Sequence, residues 1–218
     1  MPKSDARADT AERRTRNADR TLGEILDAAE LEFSRNGYSG ARVDAIAEAT
    51  STTKRMIYYY FENKEGLYRE VLRRAYAGIR GIEQELDLDG LSPIEALREL
   101  ARVTYLHHIE HESFIRIVAI ENVHHAEHLR HIEPAGIAAP VIDLIDRALE
   151  RGRADGSIRD DITALDVHQL ISAQAVFAVA NRHTIAHLFG RNMAAPNESA
   201  RFQDLLGDAV EGLVARHG

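Results

Sequence analysis

The sequence predicts an all-α fold. Apolar residues recur at spacings of three and four through nearly all of the 218 residues. No segment sustains the period-two alternation of a half-buried strand, and cap and turn residues separate the periodic stretches. In chain order, Thr21 is the expected N-cap of a first helix whose stripe is Leu22, Ile25, Leu26, Ala29 and Phe33. Asn36-Gly37 closes it, glycine suiting a left-handed cap. A short second helix turns Val43, Ile46 and Ala47 inward. Thr50-Ser51-Thr52-Thr53 then offers hydroxyls for a turn and for capping a third helix, Lys54 to Phe61. Asn63 caps a fourth, through Leu67, Val71, Leu72, Tyr76 and Ile79. After Asp87-Leu88-Asp89-Gly90, Ser92-Pro93-Ile94-Glu95 joins an N-cap serine, a first-turn proline and a glutamate three residues on. The helix it opens is expected to reach about Glu110. Further helices are expected over 113–130, 138–152, 164–181 and 198–216, with breaks at 133–136, 155–157 and 190–197.

Composition narrows the function classes. The chain has no cysteine, which removes disulfides, thiolate metal sites and thiol catalysis. It carries neither the apolar core of a leader peptide nor a run long enough to span a bilayer, so the expectation is a soluble, cytoplasmic protein. The net charge of −8 is uneven: residues 1–80 hold 15 Lys/Arg against 13 Asp/Glu, and residues 81–218 hold 12 against 22. Six of those cations, among them Arg13, Arg14, Arg16 and Arg20, fall in residues 1–20. With no large apolar side chain after Met1, that segment is expected to be a flexible basic arm, either idle in solvent or reaching phosphates or a minor groove.

Two short helices joined by a tight turn and braced by a third make a helix-turn-helix, expected here over residues 21–80. The second of the pair must fit a major groove and turn polar side chains outward. In Thr53 to Phe61, Met56, Ile57 and Phe61 are expected to face the core, leaving Lys54, Arg55 and Tyr59 outside. Arginine offers a bidentate fork for guanine, and lysine serves guanine or phosphate. By spacing alone an ordinary amphipathic helix is as good a reading.

These residues also resemble the DNA-binding domain of the tetracycline-repressor (TetR) family. The likeness runs through Ile25, Phe33-Ser34-Arg35-Asn36-Gly37-Tyr38 and Val43-Asp44-Ala45-Ile46-Ala47. It continues through Ile57-Tyr58-Tyr59-Tyr60-Phe61-Glu62-Asn63-Lys64-Glu65-Gly66-Leu67-Tyr68, about a quarter of the chain in all. It implies that Thr53 starts the recognition helix, that Lys54, Arg55 and Tyr59 read bases, and that Tyr58, Tyr60, Lys64 and Arg42 contact phosphates. The chain departs from the family pattern at Ala41, where a capping threonine is usual, and at Ser51-Thr52, which replaces a Gly-Val turn. Its recognition helix is therefore expected to have an altered seat.

The same resemblance implies that residues 81–218 form a helical ligand-binding and dimerisation domain, with no required cofactor and an unidentified small-molecule effector. The implied function is ligand-responsive repression by a homodimer on a palindromic operator in double-stranded DNA. Activation or dual regulation on the same scaffold is the alternative. The residues themselves suggest a four-helix dimer interface, from Phe202, Leu205, Leu206, Ala209, Val210 and Leu213 on the last helix and Phe177 on the preceding long one. The other reading is that the last helix closes the monomer core. Tyr105, His108, Phe114, Ile117, Glu121 and His125, closed by Phe177 and Asn181, mix apolar and polar groups as an effector pocket does.

His124, His128 and His131 recur at four and three, a spacing that on one helix face would suit a divalent metal. A histidine-rich metal-binding helical protein is thus a remote alternative. His107-His108-Ile109-Glu110-His111 and His124-His125-Ala126-Glu127-His128 match the order of inverted zinc proteases. Two copies so close together read as histidine-rich composition, and the chain shows no nucleophile elbow, phosphate loop or dinucleotide glycine pattern. The protein is expected not to be an enzyme.

Overall fold

The computed structural model describes residues 5–133 and 135–216. Among them it has ten α-helices, a single 3-10 turn at Leu129–His131, and no β-sheet beyond one isolated bridge between Ile158 and Ala215. The helices are α1 (Asp5–Gly40), α2 (Val43–Ala49), α3 (Lys54–Phe61), α4 (Lys64–Glu85) and α5 (Pro93–Glu110). They continue with α6 (Glu112–Val123), α7 (Ala135–Asp155), α8 (Ala164–Ala180), α9 (Arg182–Phe189) and α10 (Pro196–Val214).

The chain divides into two compact units. One runs up to Arg74 and takes in Ile120–His131; the other joins Ala75–Ala119 to the residues from Ile132 onward. The division falls inside α4 rather than at residue 80, and it assigns Ile120–His131 to the first unit, where the sequence predicted part of the C-terminal domain.

In the first unit the predicted stripes converge. Ile25, Ala29 and Phe33 of α1, Val43 and Ile46 of α2, Ile57 and Phe61 of α3, and Leu67, Tyr68, Val71 and Leu72 of α4 are all buried. Aromatic edges lock the centre, with Phe33 4.7 Å and Tyr38 5.2 Å from Tyr68, centroid to centroid. The first helix departs from expectation. Residues 1–4 of the expected arm lie outside the described residues, and from Asp5 onward the segment is helix continuous with α1. No proline or glycine stands between Asp5 and Leu22, and alanine, arginine and glutamate favour helix even where no core awaits them. Thr21, the expected N-cap, lies mid-helix and donates its hydroxyl back to the Asn17 carbonyl at 2.9 Å. The helical path breaks where predicted, at Gly37 (φ 67°, ψ 175°), a conformation that glycine alone adopts freely.

The expected helix 113–130 ends early, at Val123. The cause is Glu121, which is 3% exposed. One carboxylate oxygen accepts from the backbone N–H groups of His128 and Leu129, each at 3.2 Å, and the other bonds the His128 imidazole at 2.9 Å. The chain folds back to make these bonds, with positive φ at His125 (58°) and Ala126 (55°). His128 then packs on Tyr38 and Tyr68, at centroid distances of 4.1 and 4.9 Å.

In the second unit, α5 packs against α7, α8 and α10 around Leu97, Leu100, Ala101, Tyr105, Ile145, Leu149, Val167, Ile171, Leu206 and Val210. Two capping boxes start its helices: Ser92 with Glu95 on α5, as predicted, and Thr163 with Asp166 on α8. Helix α9 was not predicted, because its Ile185, Leu188 and Phe189 are too few to announce a stripe.

Candidate functional site

The helix-turn-helix is assembled by local chemistry that its neighbours supply. Thr53 is extended and caps α3, its hydroxyl accepting from the Met56 N–H at 3.3 Å. At the far end Asn63 accepts from the Gly66 N–H at 2.9 Å and so caps α4. A Cβ at Gly66 would lie 2.1 Å from the Phe61 carbonyl oxygen, so only glycine permits this tight junction between α3 and α4.

The cap expected at Ala41 stands one residue later. Arg42 is the N-cap of α2 and makes no side-chain cap bond, while Ala41 is 4% exposed. Glu32 of α1 takes over, accepting the Arg42 backbone N–H at 2.9 Å. Ser51 and Thr52 supply no buried anchor in the turn. A second tie joins the two helices instead, between Lys54 Nζ on α3 and Asp44 Oδ2 on α2, at 2.9 Å.

The outward face of α3 differs from expectation in one residue. Ile57 and Phe61 are buried, but Met56 is 39% exposed and lies outside with Arg55 and Tyr59. An eight-residue helix offers the core one narrow stripe; the 57/61 pair fills it, and Met56, 100° away, is left out. Tyr59, at 76%, is the most exposed aromatic of the helix. Tyr58 and Tyr60 are half-buried, and Tyr60 lies edge-on to Tyr59 at 5.4 Å. The Lys64 ammonium stands 5.0 Å above the Tyr38 ring and donates to the Ser39 carbonyl at 3.4 Å. Partial burial lowers its pKa, and Glu32 opposes the shift. The surface of α3 therefore presents a bidentate donor, an apolar thioether and a phenol together, with Lys54 next to them in sequence, and Arg42 is exposed at the start of α2. Such a set suits base edges flanked by phosphates.

The residues predicted to line an effector pocket do not form one group. Tyr105 is fully buried against Phe202 (4.8 Å) and donates to the Met193 carbonyl at 3.1 Å. Ile117 is fully buried, whereas His125 is exposed. Glu121 belongs to the first unit, bonded as described above. Asn181 joins α8 to α9 and spends its amide on the Phe177 carbonyl at 3.1 Å. His108 and Phe114 stand together, 5.7 Å apart.

Around that pair is a buried polar cluster that the sequence reading missed apart from His108. His107 and His108, 4% and 5% exposed, are 5.8 Å apart, and His107 stacks on His111 at 4.1 Å. Arg80 pairs with the buried Glu83. Burial first, then the charges around them, holds His107 down at about 4 and His108 at about 3, both well below the ordinary imidazole. Burial pushes Glu83 up to about 7 despite Arg80. A separate cavity of about 370 Å³ between α5 and α10 is lined by Arg98, Arg102, Gln203 and Asp204, none of them expected to meet an effector.

The expected dimer stripe is divided. Leu206 (2%) and Val210 (0%) face their own core, with Phe202 and Leu213 packed against it, so the last helix does close the monomer. Phe177 (56%), Leu205 (49%) and Ala209 remain exposed. The three histidines weighed as metal ligands share no helix face, since the chain turns after Val123 and His128 is held by Glu121 while His124 and His131 lie at the surface.

Comparison with known proteins agrees with this architecture. Residues 25–71 match the family model for bacterial regulatory proteins of the tetR family, and residues 93–210 match that for the tetracyclin repressor-like C-terminal domain. The chain is 34% identical over 202 residues to the HTH-type transcriptional repressor NicS of Pseudomonas putida, covering 92% of this chain and 95% of the relative. It is 31% identical over 173 residues to the repressor SCO4008 of Streptomyces coelicolor, covering 75% and 81%. Among solved structures, a tetR-family regulatory protein from Rhodococcus RHA1 aligns over 91% of this chain and 98% of its own with a TM-score of 0.70. The ketosteroid transcriptional regulator KstR2 of Mycobacterium tuberculosis aligns over 90% and 95% with 0.65. At 14% and 19% identity, these two speak for the fold alone.

Proposed function

The chain belongs to the tetracycline-repressor family of bacterial regulatory proteins, and from that premise we propose that it works as a ligand-responsive homodimer on a palindromic operator. It is a DNA-binding regulator of the repressor type, and not an enzyme. The observation that carries the finer reading is the outer face of α3, where Arg55, Met56 and Tyr59 are exposed side by side beside a capped helix N-terminus. Arg55 reads bases there. Lys54, tied to Asp44, and Lys64, seated on Tyr38, sit where they position the helix against phosphates.

Dimerisation is supported by the exposed Phe177 on α8 and the exposed Leu205 and Ala209 on α10, apolar residues that a second copy would cover. Effector response is assigned to the second unit. Helix α4 is the proposed lever, since its residues as far as Arg74 belong to one unit and those from Ala75 to the other. A change in the effector unit would then alter the separation of two recognition helices and spoil their simultaneous docking.

The test is a selection of random duplexes by the purified protein at physiological salt. A palindromic consensus that disappears in the Lys54→Ala/Arg55→Ala variant is expected. Failure to enrich any sequence, with the protein folded, would overturn the reading.

A further inference from the structure

Three buried polar atoms gather in one neighbourhood of the second unit without a hydrogen-bonding partner among the described residues: Arg80 Nε, His107 Nδ1 and His108 Nδ1. The imidazoles are 4% and 5% exposed and the Arg80 side chain 12%. They come from two helices, α4 and α5, and Phe114 of α6 lies 6.1 and 5.7 Å from the two imidazoles. Ile79, Ile115 and Val179, all nearly sealed from solvent, pack with Phe114 as an apolar wall. A protein interior seldom leaves even one such atom unbonded, because each gave up hydrogen bonds to water on folding. Three together, two of them on neighbouring residues, describe a place built to hold something.

Their chemistry says what kind of thing. Arg80 Nε–H is a donor and never an acceptor, and a neutral imidazole turns Nδ1–H outward in one of its two tautomers. The charged or basic groups of the cluster are Arg80, His107, His108, His111 and His168, against the single carboxylate of Glu83, which Arg80 already pairs. Three donors beside an apolar wall match an acceptor with more than one oxygen and an apolar remainder. A doubly charged phosphate would lose too much hydration in such surroundings for one shared guanidinium to restore. A carboxylate carries one charge over two oxygens and is the usual partner of guanidinium and imidazole donors.

We infer that the second unit binds a small organic acid as its carboxylate, held by Arg80 Nε–H and the Nδ1–H groups of His107 and His108, with its apolar body against Phe114 and the residues packed on it. This rests on the reading of that unit as the effector-sensing one and gives its effector a chemical class.

The test is calorimetric titration of the full-length protein, without DNA, using benzoate and hexanoate and their neutral twins benzamide and hexanamide. At least one acid is expected to bind ten or more times tighter than its amide. His108→Phe, which removes a donor and no charge, should erase most of that preference while leaving the helical circular dichroism intact. Arg80→Met, which strands Glu83, is paired with Arg80→Met/Glu83→Leu so that misfolding is not mistaken for lost recognition, and both should lose the acid. Equal binding of acid and amide, binding of neither pair, or an undiminished preference in His108→Phe would each overturn the inference. Because no DNA is present, the outcome is independent of the duplex selection. Operator binding without acid binding would sink only this site, and acid binding without an operator would sink only the regulatory reading.

Discussion

Replacing Glu83 by glutamine should make the protein more sensitive to acid, although it removes an acid. His107 and His108 are held neutral in the fold, at about 4 and about 3 against an ordinary 6.5. Above pH 6.5 both states leave them neutral; as pH falls below it, only the unfolded chain takes up the protons. Between pH 7 and pH 5 each histidine therefore costs roughly 2 kcal/mol of stability, about 4 together. His168 is shifted down by burial as well and pushes the same way. Glu83 does the opposite. Raised from 4.5 to about 7, it is protonated in the fold before the unfolded chain protonates it. That contribution grows as pH falls from 7 towards 4.5, returning roughly 2 kcal/mol by pH 5. The native protein should thus lose about 2 kcal/mol between pH 7 and pH 5, and Glu83→Gln about 4. The assay is urea unfolding followed by circular dichroism, since the chain has no tryptophan. With a slope near 2 kcal/mol per molar, the variant's midpoint should fall about 1 M further than the native one. Equal falls in both proteins would refute the reasoning, because Glu83 would then be an ordinary ionised carboxylate throughout.

Four other results are expected. Exchanging thymine for deoxyuridine in the selected operator removes only a methyl group; if Met56 packs on one, affinity should drop about fourfold in the native protein and not in Met56→Ala. Arg55→Ala should relax sequence preference, whereas Lys64→Ala should weaken binding to all DNA and reduce the slope of log affinity against log salt by about one, which a salt series on specific and scrambled duplexes measures. Gly66→Ala forces a Cβ against the Phe61 carbonyl and should cost about 1–3 kcal/mol, lowering the thermal midpoint. Phe177→Glu/Leu205→Glu should shift sedimentation from dimer to monomer without unfolding the chain, since both side chains are exposed in the protomer.

The helices were legible wherever a stripe met a cap. Ser92-Pro93-Ile94-Glu95 opens α5 as its residue types require, and Gly37 breaks α1 where the periodicity lapses. What was not legible depended on partners distant in sequence. Nothing near Val123 announces a helix end; the end is made by Glu121 reaching seven and eight residues ahead for the N–H groups of His128 and Leu129. That bond also dissolved the histidine face predicted from regular spacing, since the spacing argument assumed a helix that the carboxylate cuts short. The helical conformation of the arm from Asp5 onward went unread for a different reason. Lack of apolar residues denies a segment a core, but it does not deny it helix when alanine, arginine and glutamate follow one another without a breaker.

The exposed residues of α3 were mostly legible and the buried polar cluster of the second unit mostly not, and the physical demands on a surface and on an interior explain the difference. A groove reader must display its side chains from one short helix, so sequence neighbours become spatial neighbours and Arg55 and Tyr59 could be named from spacing. Even there the error at Met56 came from treating three apolar residues as equally inward, when an eight-residue helix buries only the pair spaced by four. A buried polar cluster has no such order. Arg80 and Glu83 on α4, His107 and His108 on α5 and Phe114 on α6 meet only after the helices pack. Each of them alone reads as a surface ion pair, a histidine-rich stretch or a core aromatic. Their significance lies in hydrogen-bond accounting: an arginine whose Nε has no partner and two imidazoles in the same condition are conspicuous only once water has been excluded from all three.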